Sequence, residues 1–224
     1  MKITTGEVAK FLNMSENRIY HLIQHQEIPF QKINEDYLFN RVELLEWATS
    51  RGIAVSPDLF SDQDMQEEEL PRLSDSIRQG GILYSVPGNN KTEVLQSIVN
   101  RLPLNEHINK PFLFQTLIAR ESLGSTGIGD GIAIPHVRNP LVLQVEKPII
   151  GLCFLENPID FKAIDGKPVH TIFTIISPTV RIHLHLLSRI SYMLKQKEFL
   201  EVLNKRGTSE EILRILSRLE DQLP

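Results

Sequence analysis

The chain has 224 residues, 41% hydrophobic and 23% charged, values that exclude wholesale disorder; roughly 150 residues per domain allow one large domain, or an ordinary domain with a small one. With 12 glycines and 13 prolines it is not collagen-like or low-complexity, no apolar run reaches the roughly 18 residues of a membrane helix, and the single cysteine, Cys153, excludes an internal disulfide or a cysteine-based metal site. The formal net charge of -4 gives no global basic field of the kind nucleic-acid binders show. A charged N-terminus without the apolar stretch of an export signal makes the cytoplasm the expected compartment, with no membrane partner.

In chain order, Lys2-Ile3-Thr4 reads as a short strand or cap. Thr4 or Thr5 caps a helix carrying Val8, Ala9, Phe11 and Leu12, with Glu7 in its first turn. After a break at Asn13-Met14, Ser15 caps a second helix whose Ile19, Leu22 and Ile23 share one face and which ends before Pro29. Two extended pieces follow, Phe30–Ile33 and Tyr37–Phe39, as a small hairpin or wing, and then a third helix from Asn40 with Val42, Leu44, Leu45, Trp47 and Ala48 as its stripe. Two helices joined by a short turn and followed by a wing outline a small, mostly α winged helix-turn-helix domain at 1–53.

Residues 54–76 hold seven acidic side chains against Arg72 alone, so 54–74 is expected to be an acidic linker. From 75 to 220 the pattern changes. Arg78–Tyr84 reads as a turn then a strand. A helix runs from Lys91 to Leu102 with Val94, Leu95, Ile98 and Leu102 together, and another from Pro111 with Phe114, Leu117 and Ile118 buried. Strands are expected at Ile149–Leu155 and Val169–Ile176, with an Asp165-Gly166 turn between them, and closing helices at Ile182–Lys195 and Ser209–Leu219. Strands separated by helices predict an α/β domain, a three-layer arrangement of a mixed sheet flanked by helices.

The densest chemistry lies between Arg120 and His136. Gly124, Gly127, Gly129 and Gly131 let backbone N–H groups approach an anion, and Ser125 and Thr126 add hydroxyl donors. Arg120 supplies a flat, permanently charged fork, and His136, fixed by Pro135, a nucleophilic nitrogen. These are the parts for receiving a phosphoryl group on a histidine. Spacing alone leaves open a plain flexible loop with His136 on the surface. The glycines match neither a Walker loop nor a dinucleotide fingerprint. His183 and His185, two apart on a helix, point about 200° from each other, so only one can face His136, which argues against a metal site using both. His170 and Cys153 lie in apolar strands and read as core or edge side chains.

The string GSTGIGDGIAIPH (residues 124–136) resembles the active-site signature of enzyme IIA domains of the fructose–mannitol–nitrogen class of the bacterial phosphoenolpyruvate-dependent phosphotransferase system. The resemblance covers roughly residues 75–220 and includes Arg120, Asp165-Gly166 and His183-Leu184-His185-Leu186-Leu187. It implies that His136 is the phosphoryl acceptor, His183 the second active-site histidine and Arg120 the phosphate's charge partner, with Gly124, Ser125, Thr126 and Gly127 as a phosphate shell. It also implies a histidine phosphocarrier protein as donor, with the phosphate passed on to a IIB component or kept as a regulatory mark, and no metal or cofactor at this step. Many relatives carry a glycine after the histidine; here Val137-Arg138 follows, and the added charge has no assigned task.

Residues 4–48 resemble excisionase or MerR-like winged helix-turn-helix domains through Thr5-Gly6-Glu7-Val8-Ala9, Ser15-Glu16-Asn17-Arg18-Ile19-Tyr20, and Phe39-Asn40-Arg41 leading to Glu46-Trp47. Relatives usually carry a glycine before the turn proline and a more basic wing; this chain has Gln26-Glu27 and Asn34-Glu35-Asp36. The second helix offers Asn17, Arg18, His21, Gln24 and His25 to DNA, and a homodimer is expected if it acts there. Three functions compete: a phosphotransfer protein whose state gates a DNA-binding module, a sugar-transport IIA subunit with the N-terminal block only a scaffold for protein contacts, and a binding module in which His136 is never phosphorylated. The fused helix-turn-helix favours the first.

Overall fold

Thr4 closes the first strand, β1 (Lys2–Thr4), and caps the first helix, α1 (Thr5–Phe11). The Glu7 N–H donates to the Thr4 hydroxyl at 3.4 Å, and the Thr4 N–H donates to the Glu7 carboxylate at 2.7 Å, a reciprocal capping box. This computed structural model describes residues 2–33, 36–40, 43–44, 47–48, 51, 53, 70–106, 108–137 and 145–223. Asn13, in the left-handed region at φ 50, reverses the chain, and Ser15 caps α2 (Glu16–Gln24) by accepting the Arg18 N–H at 3.3 Å. Val8, Ala9, Phe11 and Leu12 of the first helix and its end, and Ile19, Leu22 and Ile23 of the second, are buried.

Strands β2 (Gln31–Ile33) and β3 (Asp36–Asn40) form the wing, and β1 pairs with the other edge of β3. Thr4 therefore belongs to both strand and cap, and Ile3 faces Phe39 across the pairing with both buried. Glu43–Leu44 and Trp47–Ala48 are helical, with Leu44 and Ala48 fully buried, where the third helix was expected; Val42 and Leu45 lie outside the described residues.

The chain divides into two units, residues 1–68 and 69–224. The second opens with α3 (Leu73–Gly80), where the sequence reading had the end of a linker and a turn. Gly80 explains the difference: a Cβ there would sit 2.3 Å from the Ile150 carbonyl oxygen, so this glycine lets a helix lie on a strand. Gly81, at φ 77, ends the helix.

Next come β4 (Ile82–Val86), α4 (Lys91–Arg101) and α5 (Lys110–Ser122), then two short strands, β5 (Gly127–Gly129) and β6 (Ile132–Ala133). On α5, Leu117 is buried as expected, while Phe114 and Ile118 are half-buried and Leu113 takes the deeper place. Two long strands follow, β7 (Ile149–Ile159) and β8 (Val169–Ile176), and three helices, α6 (Val180–Met193), α7 (Lys197–Asn204) and α8 (Ser209–Glu220). Helix α7 was not anticipated. Strand β7 runs past Leu155 to Ile159, through Pro158 and a register shift after Phe154.

The five-stranded sheet has the order β4-β7-β8-β6-β5, with β4 parallel to β7 and β6 parallel to β8 but β7 antiparallel to β8. Cys153, Leu155, Ile172 and Ile176 meet Val94, Ile98, Leu113 and Leu117 on one face. Leu152, Phe154, Phe173 and Ile175 point to the opposite face by strand alternation, where Phe173 meets Phe199 of α7 and the Tyr84 hydroxyl donates to the Gly207 carbonyl. The fold is the expected mixed sheet flanked by helices.

Candidate active site

Beyond β6 the chain stays extended, and the Ile175 N–H of β8 donates to the Pro135 carbonyl at 3.1 Å, with His136 bridging to Ile175 in parallel. Strand β8 ends one residue later, and Ser177-Pro178-Thr179 leads into α6, where the Thr179 hydroxyl accepts the Ile182 N–H at 3.2 Å. Two parallel neighbours thus finish at one edge of the sheet, where α/β folds hold ligands. There the rings of His136 and His183 lie with centroids 5.0 Å apart. His136 is 4% exposed and His183 fully buried, so neither is a loose surface side chain.

The helix turns His185 the other way, as its angle demands. Its Nε2 lies 3.1 Å from the Pro71 carbonyl, and burial first, then the charge of Arg189, pushes its pKa down to about 4. His136 Nδ1 lies 2.7 Å from the Ile134 carbonyl oxygen. A carbonyl can only accept, so the neutral ring carries its proton on Nδ1 and its lone pair on Nε2. His183 Nδ1 lies 3.3 Å from the buried Ser177 hydroxyl.

The Gly-rich stretch is also shaped by the protein around it. Asp130 (φ 49) and Gly131 (φ 73) form a two-residue loop joining the antiparallel β5 and β6, the geometry of a type I′ hairpin. A Cβ on Gly127 would lie 2.9 Å from Ala163 Cβ, and one on Gly131 only 2.3 Å from His170 Nε2. These glycines admit neighbouring protein. The hydroxyls expected to face phosphate are engaged as well. Ser125 donates to the Phe161 carbonyl and accepts the Gly127 N–H at 3.0 Å; Thr126 donates both its hydroxyl, at 2.6 Å, and its N–H to the Glu121 carboxylate. Arg120, 9% exposed, donates from Nη1 to the Gly124 carbonyl at 3.0 Å and so closes the neck of the stretch.

Glu121 and its partner Lys91, 2.8 Å away, were missed by sequence reasoning, as were Ser177 and the Ile134 carbonyl. The adjacent Arg120-Glu121 pair is the only hint in the sequence; Lys91 lies 30 residues earlier. Cys153 is fully buried, and burial pushes its thiol up to about 12, which suits a core side chain. His170 lies half-buried on β8 with Nδ1 2.9 Å from the Thr171 hydroxyl. Arg138 lies outside the described residues. Among the described residues no group of three or more His, Cys, Asp or Glu could hold a metal ion, and no helix is long and apolar enough to cross a membrane. In the first unit, Asn17, Arg18, His21 and Gln24 lie exposed on α2, His25 lies exposed just past its end, and Lys32 lies exposed on β2, 5.7 Å over the Tyr37 ring.

Comparison with known proteins fits this frame. The chain belongs to the family described as phosphoenolpyruvate-dependent sugar phosphotransferase system, EIIA 2, whose model matches residues 76–219. A helix-turn-helix domain model matches residues 3–52. The chain is 36% identical to a nitrogen regulatory protein of Pseudomonas aeruginosa over 148 residues, which is 65% of this chain and 94% of that one. It is 27% identical over 150 residues to the fructose-specific EIIABC component of Bacillus subtilis, covering 66% of this chain and 23% of that one. The crystal structure of nitrogen regulatory protein IIA-Ntr from Neisseria meningitidis superposes with a TM-score of 0.53 at 32% identity, covering 66% of this chain and 97% of that one.

Proposed function

We propose that this protein is a phosphoryl carrier that accepts phosphate on Nε2 of His136 from a histidine phosphocarrier protein, and that its N-terminal domain binds DNA. The observation that carries the first part is the His136 ring, held through Nδ1 by the Ile134 carbonyl with the His183 ring 5.0 Å away. The Nε2 lone pair of neutral His136 attacks the phosphorus in line. The N–P bond to the donor imidazole breaks as the new one forms, and the donor ring leaves with the electron pair. The His136 ring gains positive charge while Nδ1–H stays bonded to the Ile134 carbonyl, which stabilises it. Protein groups contribute position and charge, with little covalent chemistry of their own. Arg120 supplies the permanent charge, and His183 donates from Nε2 when the Ser177 hydroxyl donates into its Nδ1. No cofactor is required for this step.

Incubation with phosphoenolpyruvate, the first phosphotransfer enzyme and the phosphocarrier protein should label the wild type and leave His136→Ala unlabelled. Full labelling of His136→Ala overturns the assignment. For the N-terminal domain, the exposed row on α2 supports DNA contact, most simply as a homodimer. The joint substitution Arg18→Glu and Lys32→Glu should abolish salt-sensitive retention on DNA. A wild-type protein that shows none at low salt contradicts this part. The fructose-specific relative favours a second reading, a transport subunit passing phosphate to a IIB partner. Discharge of labelled protein by a IIB domain, with no DNA retention, would select it.

A further inference from the structure

A buried carboxylate stands behind the Gly-rich stretch. Glu121, in the last turn of α5, is 8% exposed. It receives the Thr126 N–H at 3.1 Å, the Thr126 hydroxyl at 2.6 Å and the Lys91 ammonium at 2.8 Å. Every partner is a donor, so the group is an acceptor only, and a charge this deep is tolerated because it is paired and hydrogen-bonded. Lys91, at the start of α4, is held in turn, with its Nζ 5.0 Å over the Phe161 ring, and the Phe161 carbonyl accepts the Ser125 hydroxyl. Lys91, 30 residues before it, and Thr126, five residues after it, converge on one carboxylate.

What the carboxylate anchors is the reacting ring. The Thr126 carbonyl accepts the Ile134 N–H at 2.9 Å, and the Ile134 carbonyl accepts the His136 Nδ1 proton at 2.7 Å. Lys91, Glu121, Thr126, Ile134 and His136 form one unbroken series of hydrogen bonds. We infer that Glu121, balanced by Lys91, is a positioning residue for His136: it holds Ile134 where its carbonyl selects the Nδ1–H form of the ring and so presents Nε2 to the phosphoryl donor. This inference rests on the reading of His136 as acceptor. Which imidazole nitrogen carries the proton is set by the bond the other one makes, and such outer contacts tune a ring without touching its reaction partner. If Ile134 is released, part of the population carries its proton on Nε2, where it blocks attack.

The test uses the full chain and two readouts, the ¹⁵N shifts of the His136 ring and the phosphorylation rate against phosphocarrier concentration. Glu121→Gln sets an amide NH₂ against Lys91 or Thr126, donor against donor. It should mix the two ring forms and lower the rate at saturation by about tenfold or more, with the half-saturating concentration unchanged. Thr126→Val, which deletes only the hydroxyl link, should move both readouts the same way by less. Lys91→Met combined with Glu121→Gln removes the donor clash and both charges, and should restore part of the wild-type ring form and rate. If Glu121→Gln proves unfolded by circular dichroism, Thr126→Val decides. A folded variant with wild-type ring shifts and rate overturns the inference. A wild type that never labels counts against the acceptor reading instead, while the ring shifts still test the series of bonds.

Discussion

Gly131→Ala separates the two purposes that a glycine in this stretch could serve. Its φ of 73 is left-handed, and forcing alanine there costs about 1–2 kcal/mol. The new Cβ would also lie 2.3 Å from His170 Nε2, so the ring must swing aside and give up its contact with the Thr171 hydroxyl, about 1 kcal/mol more. The expected total is about 2–3 kcal/mol. Urea unfolding followed by far-ultraviolet circular dichroism measures it. Repeating the substitution in a His170→Ala background removes the second contribution, so the added cost should fall to about 1–2 kcal/mol. If Gly131→Ala is within about 0.5 kcal/mol of wild type, or costs the same with and without His170, the hairpin argument is wrong and the glycine is there for another reason.

Two further outcomes follow from the packing. His185 has its pKa lowered to about 4 in the folded chain against an ordinary 6.5, so between those values the unfolded chain binds the extra proton. Its contribution to stability is fully present above about pH 6.5 and is lost as the pH falls toward 4. His185→Gln should flatten that part of the stability–pH curve, and an unchanged slope would refute the assignment. Leu117→Ala, in the core between α5 and the sheet at 1% exposure, should lower stability by about 2–5 kcal/mol in the same urea assay; a loss below about 1 kcal/mol would show that the site collapses around the gap.

Local signals were legible in the sequence wherever neighbours along the chain decide the structure. Thr4 and Ser15 cap as read, and the apolar spacing of α1, α2 and α4 marks the buried faces. The opposed directions of His183 and His185 followed from helical angle alone, with His183 beside His136 and His185 against Pro71. Misreadings arose where a glycine answers to a distant backbone. Gly80 ends a helix against Ile150, so α3 spans the end of the expected linker at residue 74 and the start of the turn expected at Arg78–Tyr84. Gly127 and Gly131 also meet Ala163 and the His170 side chain, contacts that spacing along the chain does not encode. The Asp130-Gly131 hairpin was within reach, since Asp-Gly was read as a turn signal at residues 165–166. Helix α7 carries its own pattern in Phe199, Leu200, Val202 and Leu203, but only one residue, Gln196, separates its start from the turn closing α6. Glu121 stands within the Arg120–His136 string, and its contacts arise only when Lys91 and Thr126 converge on it in space.

One nitrogen decides the chemistry of the site. Phosphorylating uniformly ¹⁵N-labelled protein with phosphoenolpyruvate, the first phosphotransfer enzyme and the phosphocarrier, and recording ³¹P–¹⁵N couplings, identifies the bonded atom. A single coupling to Nε2 of His136, with its Nδ1 still protonated, is the predicted result. Phosphorus on His183, on Nδ1 of His136, or on no histidine would contradict it.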